Sequence, residues 1–214
     1  MPKNFKKIIF FDFDGVIADT FSFCYNAWNS LIPLTVDEYR AWFEGNINKV
    51  FQQINQEKLD RFFSEYASNI KTLKANKGVV EAIKKLSENY ILIIISSTIT
   101  PLISDYLEVF GIKTCFSEIL GDDIEKSKTK KIQMILDKYS VGPSETIFIT
   151  DTLGDVNEAE KCGVKSIAVT WGYHPIETLK KGNPYKIINS QDEIMPSINE
   201  YFQTHAQKVE NLDV

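Results

Sequence analysis

Cysteine is scarce in this chain of 214 residues. Cys24, Cys115 and Cys162 are its three cysteines, and they lie far apart. They make neither a disulfide framework nor a zinc-ligand spacing, so a reduced cytoplasmic setting is expected. Long apolar runs are missing as well. The longest, Tyr90 to Ile95, has the length of a strand, whereas a membrane helix needs roughly 18–20 apolar residues, so no membrane partner is expected. The N-terminus, Met-Pro-Lys-Asn-Phe-Lys-Lys, leads into a short apolar stretch that runs straight into acids. A secretory leader needs a longer apolar region and a small-residue cleavage site. Positive charge is not in excess: 24 Lys and Arg against 29 Asp and Glu give a formal net charge of -5, which argues against nucleic acid as a default partner. Arginine is rare, with Arg40 and Arg61 the only two.

What remains is ordinary globular material, 43% hydrophobic and 25% charged. It suffices for one large domain, or one domain with a small insert, without disulfide support. Four short apolar runs punctuate it. Ile8 to Phe11 stops at Asp12, Ile91 to Ile95 stops at Ser96, Thr146 to Thr150 stops at Asp151, and Ser166 to Thr170 stops near Gly172. None alternates with polar residues, which is how strands buried on both faces read. Helix-period stretches lie between them: Val79 to Leu86; Pro101 to Phe110, closed by Gly111; Ile132 to Tyr139; and Val156 to Ala159, closed by Gly163. Strand–helix alternation predicts an α/β fold with a doubly wound parallel sheet and helices on both faces.

Residues 16–78 interrupt the alternation and read as helices only. Phe21, Tyr25, Trp28, Leu31 and Ile32 share a face that Pro33 ends. Thr35-Val-Asp-Glu38 is a capping-box pattern, and Leu59, Phe62, Phe63, Tyr66 and Ile70 form a further stripe. The expected organisation is a core of residues 1–15 and 79–214, with a helical cap, 16–78, inserted after the first strand. Asn76-Lys77-Gly78 offers hinge chemistry at the return to the core. The polar end from about His205 to Val214 is expected to fray.

In an open parallel sheet, chemistry gathers at the carboxyl ends of the strands. Here those ends carry Asp12, Asp14 and Gly15, then Ser96, Ser97 and Thr98, then Asp151 and Asp155. A lysine cluster, Lys126 to Lys131, precedes a later helix. Taken singly each has a bland reading: a turn, a helix cap or a solvated charged face. Together they place four carboxylates, a hydroxyl and a lysine on one rim. Such acids repel one another unless a cation is present. A hard divalent ion with oxygen ligands, Mg²⁺, answers this, commonly through one or two carboxylates, waters and a substrate phosphate. The set suits phosphoryl transfer: an ionised aspartate attacks phosphorus, a second carboxyl group moves the proton, and hydroxyl and ammonium groups bind the transferring oxygens.

At these residues the sequence resembles the haloacid dehalogenase superfamily, and within it the phosphatases like phosphoglycolate phosphatase and β-phosphoglucomutase. The likeness runs along the whole chain in motif order, with the cap in the matching place. Phe11-Asp-Phe-Asp-Gly-Val16 resembles the first motif, which implies Asp12 as nucleophile and Asp14 as acid/base. Ser96 resembles the second motif. Lys128 is the choice for the motif lysine, with Lys126, Lys130 and Lys131 as rivals. Asp151 and Asp155 resemble the acidic fourth motif. The resemblance implies that Asp12, the backbone carbonyl of Asp14 and Asp151 hold Mg²⁺, with Asp155 in a supporting or water-mediated place. Gly15, Ser97, Arg40 and Arg61 are the candidates for substrate binding; on one reading an arginine takes an anionic group on the leaving part, while the neighbours Glu44, Glu57, Asp60 and Glu65 favour both arginines as solvated helix residues. The function implied is hydrolysis of a small phosphorylated metabolite through an aspartyl-phosphate.

Other readings fit less well. A dehalogenase of this fold uses one aspartate and no metal, whereas Asp14, Asp151 and Asp155 are all present. Mutases of the β-phosphoglucomutase type carry a cap histidine ten positions after the second Asp, and Cys24 stands there. That departure favours hydrolysis over transfer between hydroxyls without excluding transfer. A phosphate-accepting receiver or a silent binding relative would lack the Asp-x-Asp-Gly motif, the cap or one of the acids. His174, after the last core strand, reads as a loop residue.

Overall fold

The computed structural model describes residues 7–210, and the side chains of 7–204. The first six residues, weighed above as a leader, and the last four of the polar end lie outside the described residues. Strands β1 (Ile8–Phe11), β2 (Ile91–Ile95), β3 (Glu118–Leu120), β4 (Thr146–Thr150), β5 (Lys165–Val169) and β6 (Lys186–Ile188) form one sheet in the order β3-β2-β1-β4-β5-β6. Every pairing is parallel. Phe10, for instance, stands level with Ile93 on one side and Phe148 on the other. The apolar runs account for β1, β2, β4 and β5. They give no sign of β3 and β6, which are three residues each, sit at the sheet edges and are buried only at their last residue. Segments that short carry no readable period.

Between β1 and β2 the chain forms α1 (Phe21–Leu31), α2 (Val36–Ala41), α3 (Ile47–Phe51), α4 (Gln56–Asn69) and α5 (Lys77–Leu86). Then follow α6 (Thr100–Val109), α7 (Lys128–Tyr139), α8 (Leu153–Glu160), the short α9 (Ile176–Leu179) and α10 (Ile194–Glu210). The backbone of α10 stays helical beyond His205, where fraying is expected from sequence. Alternate residues of β1 serve opposite faces, as the pleat requires. Ile8 and Phe10 pack with Ile132, Ile135 and Leu136 of α7. Ile9 and Phe11 join a larger cluster with Val79 and Ile83 of α5 and Ile198 of α10. All four residues of β1 are fully buried. Sheet order reverses at β1, so the carboxyl ends of β1 and β4 flank the crevice where such sheets place their ligands.

The insert is helical, as its stripes suggest. α1 stops because Pro33 forces Ile32 into an extended conformation, φ -139° and ψ 109°. The capping box ahead of α2 is present: the Glu38 amide donates to Thr35 Oγ1 (3.2 Å), and the Thr35 amide donates to Glu38 Oε2 (2.8 Å). α3, a single turn repeating Ile47, Val50 and Phe51 at helical spacing, is started by Asn46, whose Oδ1 accepts from the Asn48 amide at 3.0 Å. Trp28 of α1 stacks on Phe62 of α4, with ring centroids 4.3 Å apart. The two connections to the core are paired. The Asp19 amide donates to the Lys74 carbonyl and the Asn76 amide to the Ile17 carbonyl, each at 3.0 Å. Gly78 is not the free hinge its sequence suggests. It lies in the first turn of α5, where a Cβ would come within 2.7 Å of Gln191 Cβ, so the glycine permits close packing.

Candidate active site

Asp12 follows β1 directly and is only 5% exposed. Its Oδ1 accepts from the Phe13 amide at 2.8 Å. Its Oδ2 lies 2.9 Å from Lys128 Nζ. The same ammonium donates to Asp155 Oδ2 at 2.7 Å, and Thr150 Oγ1 donates to that oxygen at 2.7 Å. One buried lysine thus bridges two buried carboxylates. Burial opposes its charge, but Asp12 and Asp155 outweigh burial and hold it protonated, well above the ordinary lysine range. Burial pushes Asp12 up, with the Lys128 ammonium pulling the other way. For Asp155 burial is overcome by Lys128 and the Thr150 hydroxyl, which hold it below the usual carboxylate range.

The rival lysines are placed elsewhere. Lys126 and Lys130 are exposed. Lys131 is fully buried, but its Nζ donates to the Ser96 carbonyl at 2.6 Å. The helical period explains the split. Lys128 and Lys131 lie one turn apart on the inward face of α7, Lys130 between them looks out, and Lys126 precedes the helix. The N-terminus of α7 is itself secured: Ser127 Oγ accepts from the Lys130 amide, and Glu158 Oε1 accepts from the Lys128 amide at 3.1 Å.

Asp14 has no ammonium against it. Tyr66, from α4, donates to its Oδ1 at 2.7 Å, and Thr98 donates to its Oδ2 at 2.7 Å. Burial raises its pKa, with the two hydroxyls opposing. The motif reading misses Tyr66, which the sequence shows only as one more aromatic in an apolar stripe. Its lone hydroxyl among phenylalanines is the available signal, since a buried tyrosine hydroxyl needs a partner. Ser96 is buried with Oγ accepting from the Thr98 amide at 3.0 Å, and Ser97 lines the same cavity.

Asp151 is fully buried. The Tyr173 amide donates to its Oδ2 at 2.7 Å, while Oδ1 has no hydrogen-bond partner. Burial pushes its pKa up to about 7. Gly15 sits against this carboxylate and is not among the residues lining the cavity. Its φ is +76°, its amide donates to the Ala18 carbonyl at 2.8 Å, and a Cβ there would collide with Asp151 Oδ2. Gly172 clears the other side of the same carboxylate.

The donor set is all oxygen. Among the described residues, no three acidic, histidine or cysteine side chains form a ready-made metal cluster. A hard ion that keeps waters and takes one or two carboxylates does not require one. The orphaned Asp151 Oδ1 and the buried Asp12 carboxylate fit such an ion. Asp12 and Asp155 each already meet Lys128 with one oxygen, and that oxygen of Asp155 accepts from the Thr150 hydroxyl as well.

The arginines, candidates for substrate binding, do not enter the cavity. Arg40 Nε donates to the Tyr173 carbonyl at 2.9 Å, its guanidinium lies over Phe21, and it reaches Asp37 at 3.8 Å. It therefore ties α2 to the loop after β5. Arg61 is exposed and borders a separate surface groove with Glu57, Asp60 and Glu65. His174 is no loose loop residue: it is 1% exposed, its Nδ1 accepts from the Leu153 amide at 2.9 Å, and its Nε2 faces the Arg40 carbonyl at 2.9 Å. Burial lowers its pKa and suits the neutral ring.

Asp12, Asp14, Ser96 and Lys128 open on a cavity of about 420 Å³ between insert and sheet. Further contacts close its rim. Asn46 Nδ2 donates to Glu158 Oε1 at 3.1 Å, Asn48 Nδ2 to Asp122 Oδ1 at 2.8 Å, and the Gly154 amide to the Phe43 carbonyl at 2.9 Å. Residues 9–169 match the family described as haloacid dehalogenase-like hydrolase. The chain belongs to this family. Among similar curated proteins is a phosphoglycolate phosphatase of Pectobacterium atrosepticum, 27% identical, aligned over 72% of this chain and 67% of its own. Another is the pyrophosphatase PpaX of Oceanobacillus iheyensis, 26% identical over 92% of this chain and 98% of its own. Among solved structures, a haloacid dehalogenase-like hydrolase of Streptococcus pneumoniae superposes with a TM-score of 0.78 at 24% identity, covering 90% of this chain and 98% of that one. At that identity the likeness bears on the fold.

Proposed function

We propose that the chain is a Mg²⁺-dependent phosphatase acting on a small phosphorylated metabolite, with residues 16–78 as the cap over its site. One observation carries the reading. Two carboxylates two residues apart are given different partners: an ammonium for Asp12, hydroxyls alone for Asp14. The ammonium beside Asp12 supports its anion against the burial that raises its pKa. The second environment serves a carboxyl group that gains and loses a proton. The relatives named phosphatases support the same chemistry.

In the first step an Asp12 carboxylate oxygen forms a bond to phosphorus and the bond to the leaving oxygen breaks. Asp14 gives that oxygen its proton. In the second, Asp14 takes a proton from water, the water oxygen bonds to phosphorus, and the Asp12–phosphorus bond breaks to release phosphate. Lys128 and the Ser96 hydroxyl face the transferring oxygens and stabilise their charge. Asp12, the Asp14 carbonyl and Asp151 would hold Mg²⁺, which offsets negative charge among the acids and the phosphate. Asp155 orients Lys128. Cys24 stands where a mutase base would and is a buried thiol whose pKa burial pushes up, which favours hydrolysis over transfer.

Turnover of p-nitrophenyl phosphate with and without Mg²⁺ tests the reading. Asp12→Asn is expected to abolish Mg²⁺-dependent turnover while keeping wild-type circular dichroism, because the amide is nearly isosteric but cannot attack. In wild type, mass spectrometry of acid-quenched enzyme should find a phosphate adduct on Asp12. Wild-type hydrolysis by a purified Asp12→Asn protein would remove Asp12 as nucleophile.

A further inference from the structure

Among the described residues, the cavity proposed to receive the phosphate is lined by one basic side chain. Lys128 is that residue, and both Asp12 and Asp155 are already against it. The other charged groups on the wall, Asp14, Asp122 and Glu158 among them, are acids. The amides of Asn46 and Asn48 donate to Glu158 and Asp122 and to the Lys126 carbonyl. Arg40 and Arg61, the guanidinium groups of the insert, are turned to other tasks. A second carboxylate or phosphate carried by the substrate would enter a space with no unspent side-chain cation and several acids. Burying a charge without a partner is strongly unfavourable.

Much of the rest of the wall is apolar, with Trp28, Phe51, Phe62 and Phe63 beside Ile47, Ile99 and Leu102. Trp28 stacks between Phe62 and Phe51, with centroids 4.3 and 5.8 Å away, and Phe63 meets Phe62 and Phe51 edge-on at 5.3 and 5.6 Å. Phe63 is 42% exposed although it borders the cavity, so part of its ring has no protein cover. An apolar cavity of about 150 Å³ takes up benzene. The 420 Å³ here leaves room for a phosphoryl group and a ring beside it.

Building on the phosphatase reading, we propose that the substrate is the phosphate monoester of an uncharged, apolar alcohol bearing a ring or a branched chain of similar size. Its leaving part lies against Phe63, Phe62 and Trp28. This sets the chain apart from relatives whose names specify phosphoglycolate or pyrophosphate, substrates that carry a second anionic group.

The test compares kcat/KM, in Mg²⁺, for 2-phenylethyl phosphate, ethyl phosphate, 2-phosphoglycolate and pyrophosphate, with p-nitrophenyl phosphate as the check on the chemistry. The first three release alkoxide oxygens, so differences among them report mainly on the leaving part. The phenylethyl ester is expected to exceed both ethyl phosphate and phosphoglycolate by about tenfold or more. Phe63→Ala should narrow the phenylethyl-to-ethyl ratio by about threefold or more, mainly through KM. Phosphoglycolate or pyrophosphate turned over as well as the phenylethyl ester would overturn the proposal and leave the phosphatase intact. A ratio unchanged in Phe63→Ala, Phe62→Leu and Trp28→Phe would overturn it too. Failure to hydrolyse any ester, p-nitrophenyl phosphate included, would remove the phosphatase reading and this proposal together.

Discussion

Lys131 has no exposed surface, and its ammonium donates to the carbonyl of Ser96. Burial, with the charge of Lys128 nearby, lowers its pKa to about 8. In the unfolded chain it titrates near the ordinary value of about 10.4. Between those limits the unfolded chain holds a proton that the folded one has shed, so this position's contribution to stability rises with pH. Relative to Lys131→Met, the wild type should therefore gain on the order of 2 kcal/mol between pH 7 and pH 10. Urea unfolding of both proteins at the two pH values measures this, and a constant difference would show that Lys131 keeps its proton. Tyr66 is a second residue whose role is positional. Tyr66→Phe removes the donor to Asp14 Oδ1 and leaves Asp14 with the hydroxyls of Thr98 and Thr20. A loss of kcat of about tenfold is expected, since misplaced proton carriers cost roughly that or more. Phosphoenzyme on Asp12 should accumulate in the variant if the water-activating step suffers most. Equal steady-state phosphoenzyme and an unchanged kcat would reduce Tyr66 to packing.

The insert and the sheet meet through polar contacts from α3 and its preceding loop, from Tyr66 and from Arg40, closing the cavity. If the insert swings away to admit substrate, the paired connections at Asp19–Lys74 and Ile17–Asn76 are where the backbone would accommodate it. Mg²⁺ with orthovanadate, a phosphate analogue, should slow hydrogen exchange at the Asp19 and Asn76 amides. Exchange indifferent to both would count against a moving insert. How far such elements could be read beforehand depended on what each contributes. Buried strands announce themselves as unbroken Ile and Val runs, and the acids ending them were visible as a set. Gly111 and Gly163 mark helix ends because they adopt positive φ, +64° and +72°. β3 and β6 are too short to carry such a period, and α3 shows only one turn of it, in Ile47, Val50 and Phe51. Glu158, Asn46, Asn48 and Asp122 were illegible for another reason: each pairs with a residue 74 or more positions away or, for Glu158, with the start of α7 as well. Only the fold brings them together. The arginines allowed two readings, since rarity and chemistry suggested a binding role and their acidic neighbours a solvated one; the structure packs Arg40 against Tyr173 and leaves Arg61 exposed.

Where burial raises a carboxylate's pKa, the ion-free protein bears the cost of its charge. Asp151 is the clearest case, with a buried oxygen lacking a partner and a pKa pushed up to about 7. Above that pH its charge is held in the fold at a cost that the unfolded chain does not bear. Two consequences have opposite signs. Asp151→Asn should leave the ion-free protein as stable as wild type or slightly more so at pH 8, provided the amide oxygen keeps the hydrogen bond from the Tyr173 amide. The same change should cancel stabilisation by Mg²⁺. A ligand that binds only the folded state at about 100 times its dissociation constant adds about 2.7 kcal/mol. For a chain of this length each kcal/mol raises Tm by roughly 2–4 °C. Wild type should therefore melt roughly 5–10 °C higher in saturating Mg²⁺ than in EDTA. The Asp151→Asn protein should melt at nearly the same temperature in both. Calorimetric melts in the absence of substrate read this without reference to catalysis. A wild type indifferent to Mg²⁺ would remove the ion from the site, whereas an Asp151→Asn protein that still responds in full would move it to other oxygens along the same rim.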